Sequence, residues 1–98
     1  MTIIQLAKFG HLLSSRELGR EAWQAFLSSH SRGQLEEPVI VDCGGVSTLS
    51  HSWGDEFLSS LLAHLQGPLT FRNTGNASVR ATLEYLQEIH GKRLVIEP

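Results

Sequence analysis

The sequence predicts an α/β domain in which four strands form a mostly parallel sheet flanked by three helices. Three observations carry that prediction. Val39-Ile40-Val41 is a short β-branched run opened by Pro38, the pattern of a strand buried on both faces. Three longer stretches repeat apolar residues at helical spacing. Strand-like and helix-like segments then alternate along the whole chain, which argues helical crossovers between parallel strands.

The first strand is expected over Thr2 to Lys8, bounded by Phe9-Gly10, with its direction left open. Ser14 precedes Glu17 by three residues, a capping-box spacing. It predicts a helix from about Ser15 to Ser29, with Leu18, Ala22, Ala25 and Phe26 inward and Trp23 and Leu27 alongside. Gly19 inside that helix costs up to ~1 kcal/mol relative to alanine. Ser28 to Glu37 is polar and aperiodic, and reads as the most mobile loop. The central strand ends at Asp42, and Gly44-Gly45 marks a sharp turn. Ser52 with Asp55 gives a second capping box, opening a helix whose stripe is Phe57, Leu58, Leu61, Leu62 and Leu65. Gly67-Pro68 stops it before a strand over Leu69 to Arg72. Asn73-Thr74-Gly75-Asn76 is a turn cluster. Asn76 or Ser78 caps a last helix carrying Val79, Leu83, Leu86 and Ile89. Gly91 ends that helix, and Arg93 to Ile96 is the final strand.

At 98 residues the chain is one domain, residues 1–98, large enough to bury a core without staples. A net charge of −2, with the basic residues scattered, gives no footprint for nucleic acid. Cys43 is the single cysteine, so no internal disulfide forms and a reducing, cytoplasmic compartment is expected. The first residues lack the pattern of a signal peptide, and no run approaches the ~18 apolar residues of a membrane span.

The chemistry-bearing residues concentrate between Asp42 and Glu56. Ser52, His51 and either Asp42 or Asp55 supply the residue types of a hydrolase relay, in which histidine takes the serine proton and a carboxylate orients the histidine. Neighbours in a chain rarely adopt that geometry, and the Gly-x-Ser-x-Gly elbow is missing. The five histidines show no metal-ligand spacing; His64 and His90 suit helix C-termini instead. Gly44-Gly45 lacks the remaining residues of either phosphate-loop motif. No metal and no cofactor are therefore expected. Trp53, at the start of the second helix, reads equally as core or as an exposed anchor for a partner. Asp55 and Glu56 read as first-turn residues that complement the helix dipole.

Taken together, Asp42, Val46, Leu49, Ser50, Ser52, Trp53, Asp55, Glu56 and Phe57, with Ser15-Arg16 and Asn73, resemble the STAS-like domain of unknown function. That is a bacterial relative of the STAS fold of sulfate transporters and anti-sigma factor antagonists. The resemblance covers nearly the whole chain, and its most specific part is Ser-x-Ser-aromatic-x-Asp-Glu. It implies a non-catalytic module that binds a GHKL-type ATPase/kinase, with Ser52 at the position of the phosphorylated serine and Ser50 where those proteins carry aspartate. A homodimer is left open. The chain departs from the antagonists by placing Trp53-Gly54-Asp55-Glu56 after the serine where they have Gly-Leu. The dipole favours a phosphate there by ~0.3–1 kcal/mol. Two carboxylates at ~6 Å oppose it by roughly 1–3 kcal/mol per unit-charge pair. The alternatives are a small hydrolase using Ser52 and a nucleotide-binding module.

Overall fold

A computed structural model describes residues 1–30 and 35–97. Strand β1 (Thr2–Gln5) runs into a 3-10 turn (Leu6–Phe9), a short strand β2 (Leu12–Leu13) and helix α1 (Arg16–Ser29). Then come β3 (Val39–Asp42), the short β4 (Thr48–Leu49), α2 (His51–Ala63) and β5 (Leu69–Arg72). Helix α3 (Ala77–His90), a second 3-10 turn and β6 (Leu94–Ile96) close the chain. The main sheet has the order β1-β3-β5-β6 and every pair in it is parallel. The expected fold class is the observed one, and the open direction of β1 is settled as parallel to β3.

The strand order steps in one direction without reversing. Right-handed crossovers then leave every helix on the same face. Side-chain alternation agrees. Ile4, Val39, Val41, Leu69, Phe71 and Leu94 join one core with Phe57, Leu61, Leu62, Leu83 and Leu86 of the helices. The register places Ile3, Ile40, Thr70 and Val95 in one row across the other face. Ile3 and Val95, at the ends of that row, are 45% and 42% exposed. Ile40, in its middle, is buried but stands apart from the helix-side core. The expected burial of Val39 to Val41 is thus real, although helices cover only one side.

Several local expectations shift. Strand β1 ends at Gln5 rather than Lys8, because Leu6 turns into the core and the 3-10 turn follows. The cap of α1 is Ser15, whose Oγ accepts from the Leu18 amide at 3.1 Å, not Ser14. Leu18, Ala25 and Leu27 are exposed, while Phe26 is buried and Ala22 and Trp23 pack partly against the core. Gly19 has a packing reason: a Cβ there would sit 2.8 Å from the Trp53 carbonyl oxygen, so the glycine lets α1 cross closely over the start of α2. Ile89 is 55% exposed rather than part of the α3 stripe. Of the loop expected over Ser28 to Glu37, Ser28 and Ser29 belong to α1, and residues 31–34 lie outside the described residues.

The last strand starts at Leu94, because Arg93 belongs to the 3-10 turn, while both ends of α3 stand where expected. Asn76 Oδ1 caps α3, accepting from Ser78 and Val79, and Gly91 ends it at φ +64°. At the end of α2, the Arg93 guanidinium donates to the carbonyls of Leu62, Leu65 and Gly67. No helix among the described residues is long and apolar enough to cross a membrane.

Candidate functional site

A two-residue ladder decides where α2 begins. Leu12–Leu13 pairs in parallel with Thr48–Leu49, and the Ser50 amide donates to the Leu13 carbonyl at 2.8 Å. Ser50 is thereby held extended at φ −76°, ψ 156°, and its Oγ accepts from the Trp53 amide at 3.0 Å. Ser50 is the N-cap. Ser52, expected in that role, is the second helical residue and half-buried. Among the described residues no hydrogen bond uses its hydroxyl.

Trp53 resolves its two readings in favour of the core. It is 1% exposed, stacks on Phe57 at 5.0 Å, and has the Phe9 ring 6.1 Å away. It is not an exposed anchor. Asp55 and Glu56 fall in the second turn rather than the first, and face α1. Arg16 lies 3.1 Å from Asp55 and 3.8 Å from Glu56, and Arg20 lies 3.6 Å from Glu56. The hydrogen bond from Arg16 to Asp55 is the main reason the guanidinium's pKa is raised. Each carboxylate that was expected to oppose a phosphate on Ser52 is therefore already matched by an arginine.

His51 is exposed and held from two sides. Its ring stacks on Tyr85 at 4.5 Å, and Nδ1 lies 3.0 Å from the Thr82 hydroxyl. Thr82 is fully buried and donates to the Leu49 carbonyl at 2.6 Å, so the hydroxyl's single proton is committed. Thr82 must then accept from Nδ1–H, which leaves the Nε2 lone pair of His51 toward solvent. Ser78, one turn earlier on α3, accepts from the Leu49 amide at 3.0 Å. These two α3 residues were missed in the sequence. Their only signal is a pair of hydroxyls four apart, interrupting the apolar stripe of α3.

Asp42 belongs to a separate cluster at the carboxyl ends of β3 and β5. Its Oδ1 accepts from the Asn73 side-chain amide at 2.8 Å and from the Gly44 amide at 2.9 Å. Both bonds favour the carboxylate and, Asn73 first, hold its pKa below the usual range. Gly45 turns with φ +85°, and its carbonyl meets His11 Nδ1 at 2.9 Å. The glycine turn that superficially resembled a phosphate loop is thus filled by a carboxylate. Cys43 beside it is buried, and burial pushes its thiol up to about 12.

The residues of a hydrolase relay are not brought together. His51 is committed to Thr82, Asp42 to Asn73 and Gly44, and Asp55 to Arg16 and the Ser59 hydroxyl. Among the described residues no group of three His, Cys, Asp or Glu is placed to hold a metal ion. What the fold does assemble on one short surface is Ser52, His51 with Tyr85 behind it, and the arginines of α1. Comparison with protein-family models, with curated proteins and with solved structures finds no match to this chain.

Proposed function

We propose that this chain is a non-catalytic interaction module, a STAS-like domain that binds a signalling partner of the GHKL ATPase/kinase type through the start of α2, in a reducing cytoplasmic compartment. The observation that carries this reading is the division of labour between two serines. Ser50 does the capping, so the Ser52 hydroxyl is left without a structural task. A modification at Ser52 then changes the surface without first breaking the helix start.

Electrostatics support the same position. The amides of the first turn have no intrahelical acceptor and favour negative charge. Arg16 and Arg20 offset Asp55 and Glu56, so the net local charge that a phosphate meets is near zero rather than −2. These exposed pairs add little to stability. They do hold guanidinium groups of the kind that bind phosphate by paired hydrogen bonds. The interaction face in this reading comprises Ser52, His51 and Tyr85, with Ser50 and Trp53 as its internal supports, while Asp42, expected to belong to it, holds the separate cluster of Gly44 and Asn73.

The test is affinity purification of partners from the source cells, followed by titration with the parent, Ser52→Asp and Ser52→Asn. Recovery of a GHKL-type ATPase whose affinity falls for Ser52→Asp, and stays within about threefold for Ser52→Asn, is the expected result. Equal binding by all three proteins removes Ser52 as a switch.

A further inference from the structure

The two edges of the main sheet differ at the start of their strands, although Ile96 on β6, like Ile3 on β1, has outward backbone groups with no hydrogen bond among the described residues. At the β6 edge, the outward groups of Leu94 are both used: its amide donates to the Gly91 carbonyl, and its carbonyl accepts from the Gln87 side-chain amide at 3.2 Å. Lys92 and Glu97 flank this strand with charge, a common protection of sheet edges. At the β1 edge no side chain among the described residues takes an outward backbone group. The Thr2 amide donates to the Pro38 carbonyl, so Thr2 and Ile4 turn their backbone groups toward β3. Ile3 and Gln5 consequently turn theirs outward, and no hydrogen bond among the described residues takes the Ile3 amide, the Ile3 carbonyl or the Gln5 amide. The strand is uncharged and free of proline, and Ile3 is 45% exposed. Beside it runs a groove of about 280 Å³ whose lining includes Ile4, Lys8, Phe9, Ala25, Phe26 and His30.

We propose that β1 is the pairing edge of a homodimer, in which a second copy of this chain adds its own β1 antiparallel across a two-fold axis. The parity of the outward groups selects the register. With Ile3 opposite Ile3 of the second copy, the two residues exchange both hydrogen bonds, and each Gln5 amide meets the opposite Met1 carbonyl. All four outward amides are then used, and the Gln5 carbonyl stays with its 3-10 turn. A register centred on Ile4 would instead demand that carbonyl. Side chains agree with this choice. Ile3 ends the apolar row that continues through Ile40 and Thr70, so Ile3 against Ile3 joins two such rows into one across eight strands.

Charge complementarity argues for a second copy rather than an unrelated strand. Lys8 lies beyond the carboxyl end of β1 and enters no ion pair among the described residues. Glu36 lies beyond its amino end, 85% exposed and 3.4 Å from the N-terminal amine, with its carbonyl accepting from the Thr2 hydroxyl. Antiparallel pairing sets the lysine end of each edge against the glutamate end of the other.

Sedimentation equilibrium of the parent between ~10 μM and ~1 mM, the range in which a small interface dissociates, tests the proposal. The expected result is a mass rising from 10.8 kDa toward twice that value. Ile3→Pro removes an outward donor together with the Ile3 side chain that would meet its copy, and sheet edges accept proline. It is expected to stay monomeric with an unchanged circular dichroism spectrum. A parent that is monomeric throughout, or a folded Ile3→Pro protein that still dimerises, overturns the proposal. Should Ile3→Pro fail to fold, Lys8→Glu decides: it must weaken the dimer at least about fivefold, and adding Glu36→Lys must restore it. Failure of either step overturns the proposal. None of these outcomes depends on Ser52 or on a kinase-like partner.

Discussion

At the carboxyl ends of the strands several polar side chains hold one another or the backbone in place, whereas at the β1 edge backbone groups have no partner among the described residues. Asp42, Asn73, Ser50, Ser78 and Thr82 each hold a neighbouring loop or helix start in place. Their chemistry is spent on geometry, while among the described residues His51 and Ser52 at the start of α2 keep an unused acceptor or donor. The β1 edge has no unusual side chain at all. Its unused capacity lies in amides and a carbonyl that any sequence would supply. A residue-by-residue reading finds the first region at once and passes over the second, although both are places where the molecule has something left to bind with.

The largest expected effect probes how closed the first region is. Trp53 is 1% exposed among Phe9 and Phe57, so Trp53→Ala is expected to cost ~3–5 kcal/mol in denaturant unfolding. Ile3→Ala at the open edge is expected to change monomer stability by less than ~1 kcal/mol. If Trp53→Ala costs less than Ile3→Ala, the contrast between the two regions fails and Trp53 returns as a surface anchor.

Acid sharpens the comparison at Asp42. Its pKa is lowered by Asn73 and then by the Gly44 amide. A carboxylate depressed in the folded state contributes stability that is fully present above its unfolded pKa of ~3.9 and is lost as pH falls through the lower folded value. Thermal unfolding between about pH 2 and pH 6 is therefore expected to show a decline on the acid side. Asp42→Asn is expected to be less stable at pH 6 and to lose part of that decline. An identical acid profile for the two proteins would mean that the Asp42 cluster does not hold the loop.

Most of the fold was legible because its signals are local. The β-branched run at Val39 to Val41, Gly91 after a leucine stripe and Leu69 to Arg72 between two breakers each state their own element. The helix starts were legible only to within a residue or two. Ser14 and Ser15 compete before α1, and Ser50 and Ser52 compete before α2, with similar capping patterns. The winner before α2 is set by the pairing of Leu49 with Leu13, a two-residue ladder too short to leave any periodicity. Burial of Trp53 was not decidable for the same reason: it depends on how closely α1 crosses at Gly19. The one-sided covering of the sheet follows from a strand order that steps only one way, and strand order is not written in hydropathy. Arg16 and Arg20 likewise meet Asp55 and Glu56 only after α1 and α2 have packed.

The assignment of capping to Ser50 and of a free hydroxyl to Ser52 underlies the functional reading, and one pair of unfolding curves tests it. Ser50→Ala is expected to lose ~0.5–2 kcal/mol, the ordinary worth of an N-cap. Ser52→Ala is expected to stay within ~0.5 kcal/mol of the parent. The reverse order, with Ser52→Ala the costlier change, would make Ser52 the structural residue and contradict the account.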